Sequence, residues 1–181
     1  VNAVQRSGTI DEKEVLFKSM LKYEAFEVIP STKRGCKGQT ERLVEQAVRM
    51  STNVKNRQTR AQDASMEYLE NRIEKENMMD RKVLLFTLEP GKVDKNIAGL
   101  IANKISAKYQ RPSCMLTKVG DVYQGSARGY EMSGVTNFKD ICDETGCVNW
   151  TAGHQNAFGI SINADKIEEF LETNTTIQLR F

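Results

Sequence analysis

A single histidine, His154, is all the imidazole in this sequence, and that scarcity narrows the chemistry before any pattern is read. With no second imidazole to complete a ligand set, a histidine-based metal centre is not expected. A cysteine–histidine nucleophile pair is undercut as well, because no cysteine stands in a pattern with His154. The four cysteines, Cys36, Cys114, Cys142 and Cys147, form no metal-type pair and read as reduced, structural thiols. No stretch approaches the roughly 20 apolar residues a membrane span needs, and nothing near the start resembles a secretory signal. A cytoplasmic address and no membrane partner follow by default. The sequence also lacks an initial methionine, beginning at Val1, and is expected to be a piece of something longer.

What is present suits a soluble globular chain. A hydrophobic content of 39% in 181 residues is enough for one core, as a single domain or as a compact domain with an appended helical piece. The net charge of +2 says little about partners, but its distribution says more. Residues 31–60 carry eight basic side chains against two acidic ones, and the following stretch to Glu76 is acid-rich. The basic block suits either a polyanion or a solvated helix face.

Periodicity sets out the elements. Residues 11–23 put Val15, Leu16, Met20 and Leu21 at helical spacing behind an acidic first turn, a short amphipathic helix. Pro30, Gly35 and Gly38 then break the pattern into a loop. From Thr40 to about Met79 there is neither proline nor glycine, and small or apolar residues recur three or four apart, which predicts one long helix or two in series. Beyond Arg81 the pattern becomes α/β. "KVLLFTLE" reads as a strand and "NIAGLIANKISAKY" as a helix with Ile97, Ile101 and Ile105 on one stripe. "PSCMLTKVGDVYQGSARGY" reads as two strands about Gly120-Asp121. A helix capped by Thr136 and ended by Gly146, the strand "AFGISI", a helix capped by Asn163 and a final strand "TTIQLRF" complete the series.

Two short stretches carry candidate chemistry. In "QGSARGY" (124–130) Gly125 would let backbone N–H groups approach an oxyanion while Ser126 donates a hydrogen bond and the Arg128 fork adds charge-assisted ones; the same glycine and serine would also make an ordinary strand bend. In "NWTAGHQNAFGIS" (149–161) Gly153 allows close approach and His154, emerging from a turn, can contact an anion or a sugar. Tyr123, Tyr130 and Trp150 suit either base stacking or core packing.

Together, "GLIANKISAKYQRPSCML", "GSARG" and "AGHQNAFGISI" resemble the DHHA1 domain, the substrate-binding domain of DHH-family phosphoesterases, in order and spacing over residues 82 to about 172. The long charged segment before it, with its "NVKNRQTR" cluster, resembles the connector of the single-strand-specific exonuclease RecJ. The resemblance implies a helical N-terminal segment with a long connector helix, then a compact α/β DHHA1-like domain with a mixed sheet flanked by helices. Residues 1–38 would be the remnant of a catalytic DHH domain, 39–80 the connector and 81–181 the DHHA1-like domain. It implies that Gly125, Ser126 and Arg128 bind substrate phosphate, that Gly153 and His154 contact the nucleotide near the scissile bond, and that Ala157 and Gly159 hold that motif's packing. Ala152, Gly129 and Phe158 depart from the family's pattern, standing where a glycine, a serine and a small residue are usual.

The activity implied is 5′ to 3′ hydrolysis of single-stranded DNA, or of RNA, in DNA repair and recombination. Mn²⁺ or Mg²⁺ would be held by an Asp-His-His motif in the N-terminal domain, outside this chain. No catalytic residue and no metal ligand is expected here, and the chain alone should be inactive. Basic residues such as Arg42, Arg49, Lys55, Arg57 and Arg60 would offer phosphate contacts. Two alternatives stand beside this reading: a DHH-type phosphodiesterase acting on oligoribonucleotides or dinucleotides, and a non-catalytic interaction module.

Overall fold

The computed structural model describes residues 1–176; the expected strand "TTIQLRF" falls largely outside them, with Thr175 and Thr176 ending a helix instead. The chain divides into two compact units, Val1–Ala61 and Gln62–Phe181.

The N-terminal unit holds helices α1 (Asn2–Ser7) and α2 (Ile10–Ser19), a short antiparallel pair β1 (Val28–Pro30) and β2 (Thr40–Arg42), and the first half of helix α3 (Leu43–Lys75). Thr9 begins α2 with a capping box: its Oγ1 accepts from the Glu12 N–H at 3.3 Å, and a Glu12 carboxylate oxygen accepts from the Thr9 N–H at 2.9 Å. The helix stops at Ser19, short of the expected Tyr23, and none of its residues is buried, because its apolar residues are spread around the helix rather than gathered against a neighbour. The long helix starts at Leu43 rather than Thr40. Residues 40–42 pair with β1 instead, so tertiary pairing overrides the unbroken helical composition. At 33 residues α3 is one continuous helix of about 50 Å.

Two of the arginines expected to face phosphates are already engaged. Arg57 grips Glu12 with two hydrogen bonds of 2.9 and 2.8 Å, and Arg49 is bonded to Glu41, whereas Arg42, Lys55 and Arg60 are exposed. Glu41 lies on β2 and is only 5% exposed. The Arg49 guanidinium, opposed by burial and reinforced by the Thr32 N–H at 3.1 Å, pulls its carboxyl down to about 2 from the ordinary 4.5. Because the folded value lies below the unfolded one, this carboxylate stabilises the unit fully above about pH 4.5. That contribution drains away as pH falls from about 4.5 towards 2. Chemical denaturation followed at several pH values should therefore show the wild type losing stability over that window, with the loss reduced in Glu41→Gln.

The C-terminal unit is a five-stranded mixed sheet in the order β3-β4-β5-β7-β6. Its strands are β3 (Leu84–Leu88), β4 (Ser113–Val119), β5 (Val122–Arg128), β6 (Val148–His154) and β7 (Ala157–Asn163). β3 and β4 run parallel, joined by helix α4 (Ala98–Tyr109), and every other neighbour is antiparallel. One face packs on α5 (Phe138–Glu144) and α6 (Ile167–Thr176), with Leu85, Leu116, Ala127, Phe158, Ile160 and Phe170 among its buried residues. The other face receives α4, whose Ile101 and Ile105 are fully buried as the stripe predicts, and the second half of α3, whose Arg72 lies over the Phe86 ring and donates to the Thr87 carbonyl at 2.7 Å. Ser106 on α4 donates to Ser113 and to the Arg128 carbonyl (3.0 and 3.2 Å), tying that helix to β4 and β5.

Several local expectations change. The cap of α5 is Asn137, whose side chain accepts from the Asp140 N–H, not Thr136. Asn163 precedes the last helical stretch, but its carboxamide oxygen accepts from Asn149 at 2.6 Å instead of capping. Gly125, Ser126 and Arg128 lie within β5, the second of the two strands expected about Gly120-Asp121. His154 does not emerge from a loop but is the last residue of a strand, β6, that the sequence pattern does not announce. Cys114, Cys142 and Cys147 are free and buried, and burial pushes the Cys114 thiol up to about 12. Among the described residues no helix is long and apolar enough to cross a membrane.

Candidate nucleic-acid interface

The alternation of β5 sends Ser126 and Arg128 to the α4 side of the sheet and Gly125 and Ala127 to the opposite side. Cross-strand register then carries that side outward. Arg128 pairs with Ala157, and Ala157 pairs with His154, so arginine and histidine stand in one row on one face, two strands apart. At the usual strand spacing their backbones are about 10 Å from each other. The next row is Ser126, Gly159 and Ala152; the one after is Gln124, Ser161 and Trp150.

Helix α4 covers the β4–β5 side of this face. Its first turn comes so close that a Cβ on Gly99 would lie 2.7 Å from Nη2 of Arg128 and 3.4 Å from Oγ of Ser126. The guanidinium and the serine hydroxyl therefore share their place with a helix N-terminus, whose partial positive charge favours an anion. Arg128 also donates through Nη1 to the Ala127 carbonyl at 2.6 Å. Beyond α4 the face opens: His154, Ala152 and Trp150 are exposed.

The turn that delivers His154 is held from outside. Gln155 and Asn156 join β6 to β7; the Asn156 carbonyl accepts from the Gly129 N–H at 2.9 Å, the Asn156 side chain donates to the Thr136 carbonyl at 3.4 Å, and the Gln155 carbonyl accepts from the Lys139 N–H at 3.0 Å. These bonds couple the end of β5, and thus Arg128, to the end of β6. Gly129 is needed for it, since a Cβ there would meet the Asn156 side chain at 2.2 Å. Gly153, just before the histidine, has φ of +134° and no room for a Cβ, which would lie 2.6 Å from the Ala157 carbonyl oxygen.

Ser126, Arg128 and His154 are thus brought together on one face. Gly125 points away from it, and Gly153 shapes the strand. Asn156, Gly99 and the position of Trp150 escape motif reasoning. Only Asn156 leaves a signal, a two-residue Gln-Asn connection ahead of an alternating run. Of the three aromatics, Tyr123 packs on the hydrophobic core, Tyr130 is half-buried and Trp150 is exposed. No three histidine, cysteine, aspartate or glutamate side chains among the described residues could hold a metal ion, so the donor set does not fit a two-metal phosphoesterase centre.

No family model matches the chain. Among curated proteins it is 33% identical, over 173 residues and 92% of its length, to a protein of Bacillus subtilis strain 168 provisionally named SPbeta prophage-derived single-strand DNA-specific exonuclease YorK. The same figures hold for its counterpart in Bacillus phage SPbeta. The chain spans about three tenths of the length of these relatives, 29%. Among solved structures it is similar to RecJ of Thermus thermophilus in complex with Mn²⁺, with a TM-score of 0.62 and 14% identity over all of this chain and 23% of that one. It is also similar to an exonuclease RecJ bound to manganese, with a TM-score of 0.51 and 15% identity over 76% of this chain and 33% of that one. The class defined by this sheet is therefore the RecJ fold. Within that class, the chain is similar in sequence to the two SPbeta proteins over about three tenths of their length, 29%.

Proposed function

We propose that this chain is the nucleic-acid-binding, C-terminal part of a RecJ-like single-strand-specific exonuclease, and that phosphodiester hydrolysis is performed by a DHH domain outside these 181 residues. The observation that carries the reading is the common face of Ser126, Arg128 and His154 beside the first turn of α4. A forked cation, a hydroxyl, an imidazole and a helix N-terminus form a donor set suited to a phosphodiester. In this reading Ser126, Arg128 and His154 touch the substrate, while Gly125 and Gly153 act through the strand geometry that presents them.

Residues 1–38 would then belong with the catalytic domain, 39–80 form the connector and 81–181 the DHHA1-like domain. The exposed Ile10, Phe17, Tyr23 and Phe26 are the kind of surface a neighbouring domain covers. Mn²⁺ or Mg²⁺ belongs to that other domain, so this chain binds strands without cutting them. Cytoplasmic DNA repair and recombination would be its setting.

The test is an anisotropy titration of a fluorescein-labelled oligothymidylate of about 20 nucleotides. With about three phosphates engaged, affinity should fall roughly 10- to 20-fold between about 50 and 200 mM salt. Running oligouridylate beside it compares RNA with DNA. No binding at the lower salt, or binding indifferent to salt, overturns the proposal.

A further inference from the structure

Trp150 is the only tryptophan of the chain, and its place on the sheet is unusual for so large an apolar side chain. A register shift between Val148 and Trp150 interrupts the alternation of β6: Val148 pairs with Ile162, on the core side, and Trp150 pairs with Ser161, on the opposite side. The bulge thus carries the indole out of the core and onto the face that holds Arg128 and His154. There the six-membered ring leans along the sheet over Gly159, where a Cβ would lie 3.4 Å from Cζ3 and 3.7 Å from Cη2. The residue nevertheless stays 47% exposed.

Gly159 is the central member of the row Ser126, Gly159, Ala152, one row from Arg128, Ala157 and His154. Two residues along a strand is about 7 Å, so the indole is set beside the cationic row at the distance between neighbouring groups of one nucleotide. Its support is backbone and small side chains, which hold the ring without covering it. A preplaced aromatic surface loses little freedom when a second ring lies against it.

We infer that Trp150 is a base-stacking platform, taking a nucleobase of a single strand whose phosphate is gripped by Arg128 and His154. This rests on the reading proposed above and adds to it the part of the nucleotide that is recognised and a reason for strand selectivity. Stacking on a π-face is tolerant of sequence but needs a base that is not already stacked within a duplex. The site therefore selects single strands by what they expose rather than by their charge, which duplexes share.

Because no other tryptophan contributes, the platform reports on itself. Titrating the 181-residue chain with unlabelled oligothymidylate should quench its indole emission along the same isotherm as the anisotropy of the labelled strand. Trp150→Ala should weaken binding roughly 5- to 100-fold, and Trp150→Phe should recover part of the loss. Gly159→Leu, which leaves the tryptophan in the chain but fills the space under it, should weaken binding and change the emission of the free protein. Far-UV circular dichroism of each variant confirms an intact sheet. If the labelled strand binds while emission stays constant and Trp150→Ala binds like wild type, the platform is wrong and the nucleic-acid reading stands. Equal quenching by a blunt duplex of the same length also overturns stacking. No anisotropy change at low salt removes both proposals together.

Discussion

Alanine at position 125 is expected to unfold the C-terminal unit or leave it barely stable. Gly125 faces the core side of the sheet opposite Leu116, and an added Cβ would lie 1.6 Å from the carbonyl oxygen of Met115 and 2.7 Å from its carbonyl carbon. Those atoms are backbone of β4 and cannot swing aside as a side chain would. Relieving the overlap means separating β4 from β5 at the centre of their seven-residue ladder, where Cys114, Leu116 and Ala127 are buried to either side. Lost ladder bonds and a disrupted core together put the cost on the order of 3–5 kcal/mol, the range reached only by severe core changes. Against a total of about 5–15 kcal/mol for a typical domain, that is a large share. Urea unfolding followed by circular dichroism measures it, and a midpoint within error of wild type would contradict the geometry. The outcome also separates two roles for this glycine. A glycine kept for a ligand's approach would lose affinity on substitution while the sheet stayed intact.

The second large effect concerns Arg128→Ala, for which single-strand affinity should fall roughly 10- to 100-fold, the scale of one or two hydrogen bonds to a charged group. The salt slope should shrink by about one phosphate's worth, because one cationic contact is gone. The sheet should survive. The tie from α4 to this position runs from Ser106 to the Arg128 backbone carbonyl, which alanine retains. Arg128→Lys should recover only part of the affinity, since lysine restores charge without the planar fork. If Arg128→Ala binds as tightly as wild type and with an unchanged salt slope, the row shared with His154 is not where the phosphate sits.

The two substitutions differ in kind although their residues are three positions apart on one strand. Position 128 carries a side chain to the face shared with α4 and His154, and position 125 yields space on the core face. Read along the chain, Gly125, Ser126 and Arg128 look like one phosphate-binding set. On the strand they are split by the pleat, and only the serine and the arginine reach a ligand.

Much of the fold was nevertheless legible. Helix α4 follows from Ile97, Ile101 and Ile105, β3 from the apolar run that begins at Val83, and the β4–β5 hairpin from Gly120-Asp121, with Gly120 at φ of +60°. In each case the signal is local: the periodicity or turn chemistry that forms the element is written within a few residues of it. β6 was not legible. Val148, Trp150 and Ala152 alternate as though they shared one face, yet the bulge puts the valine in the core and the tryptophan outside it. The β1–β2 pair was hidden for a related reason: Thr40–Arg42 have no helix breaker among them and become a strand only because Val28–Pro30 lie alongside.

Helix α4, strand β3, the β4–β5 hairpin and the stock of candidate groups were determined by the sequence, since each depends on residue identity or short-range spacing. Which of those groups meet was decided by the tertiary structure. Register carries Arg128 across Ala157 to His154, a bulge brings Trp150 to the same face, and Asn156 ties the two strand ends together. Register depends on backbone bonds between strands rather than within them, β5 meeting β7 through partners as far apart as Val122 and Asn163, and a one-residue slip would send every one of these side chains to the other side of the sheet.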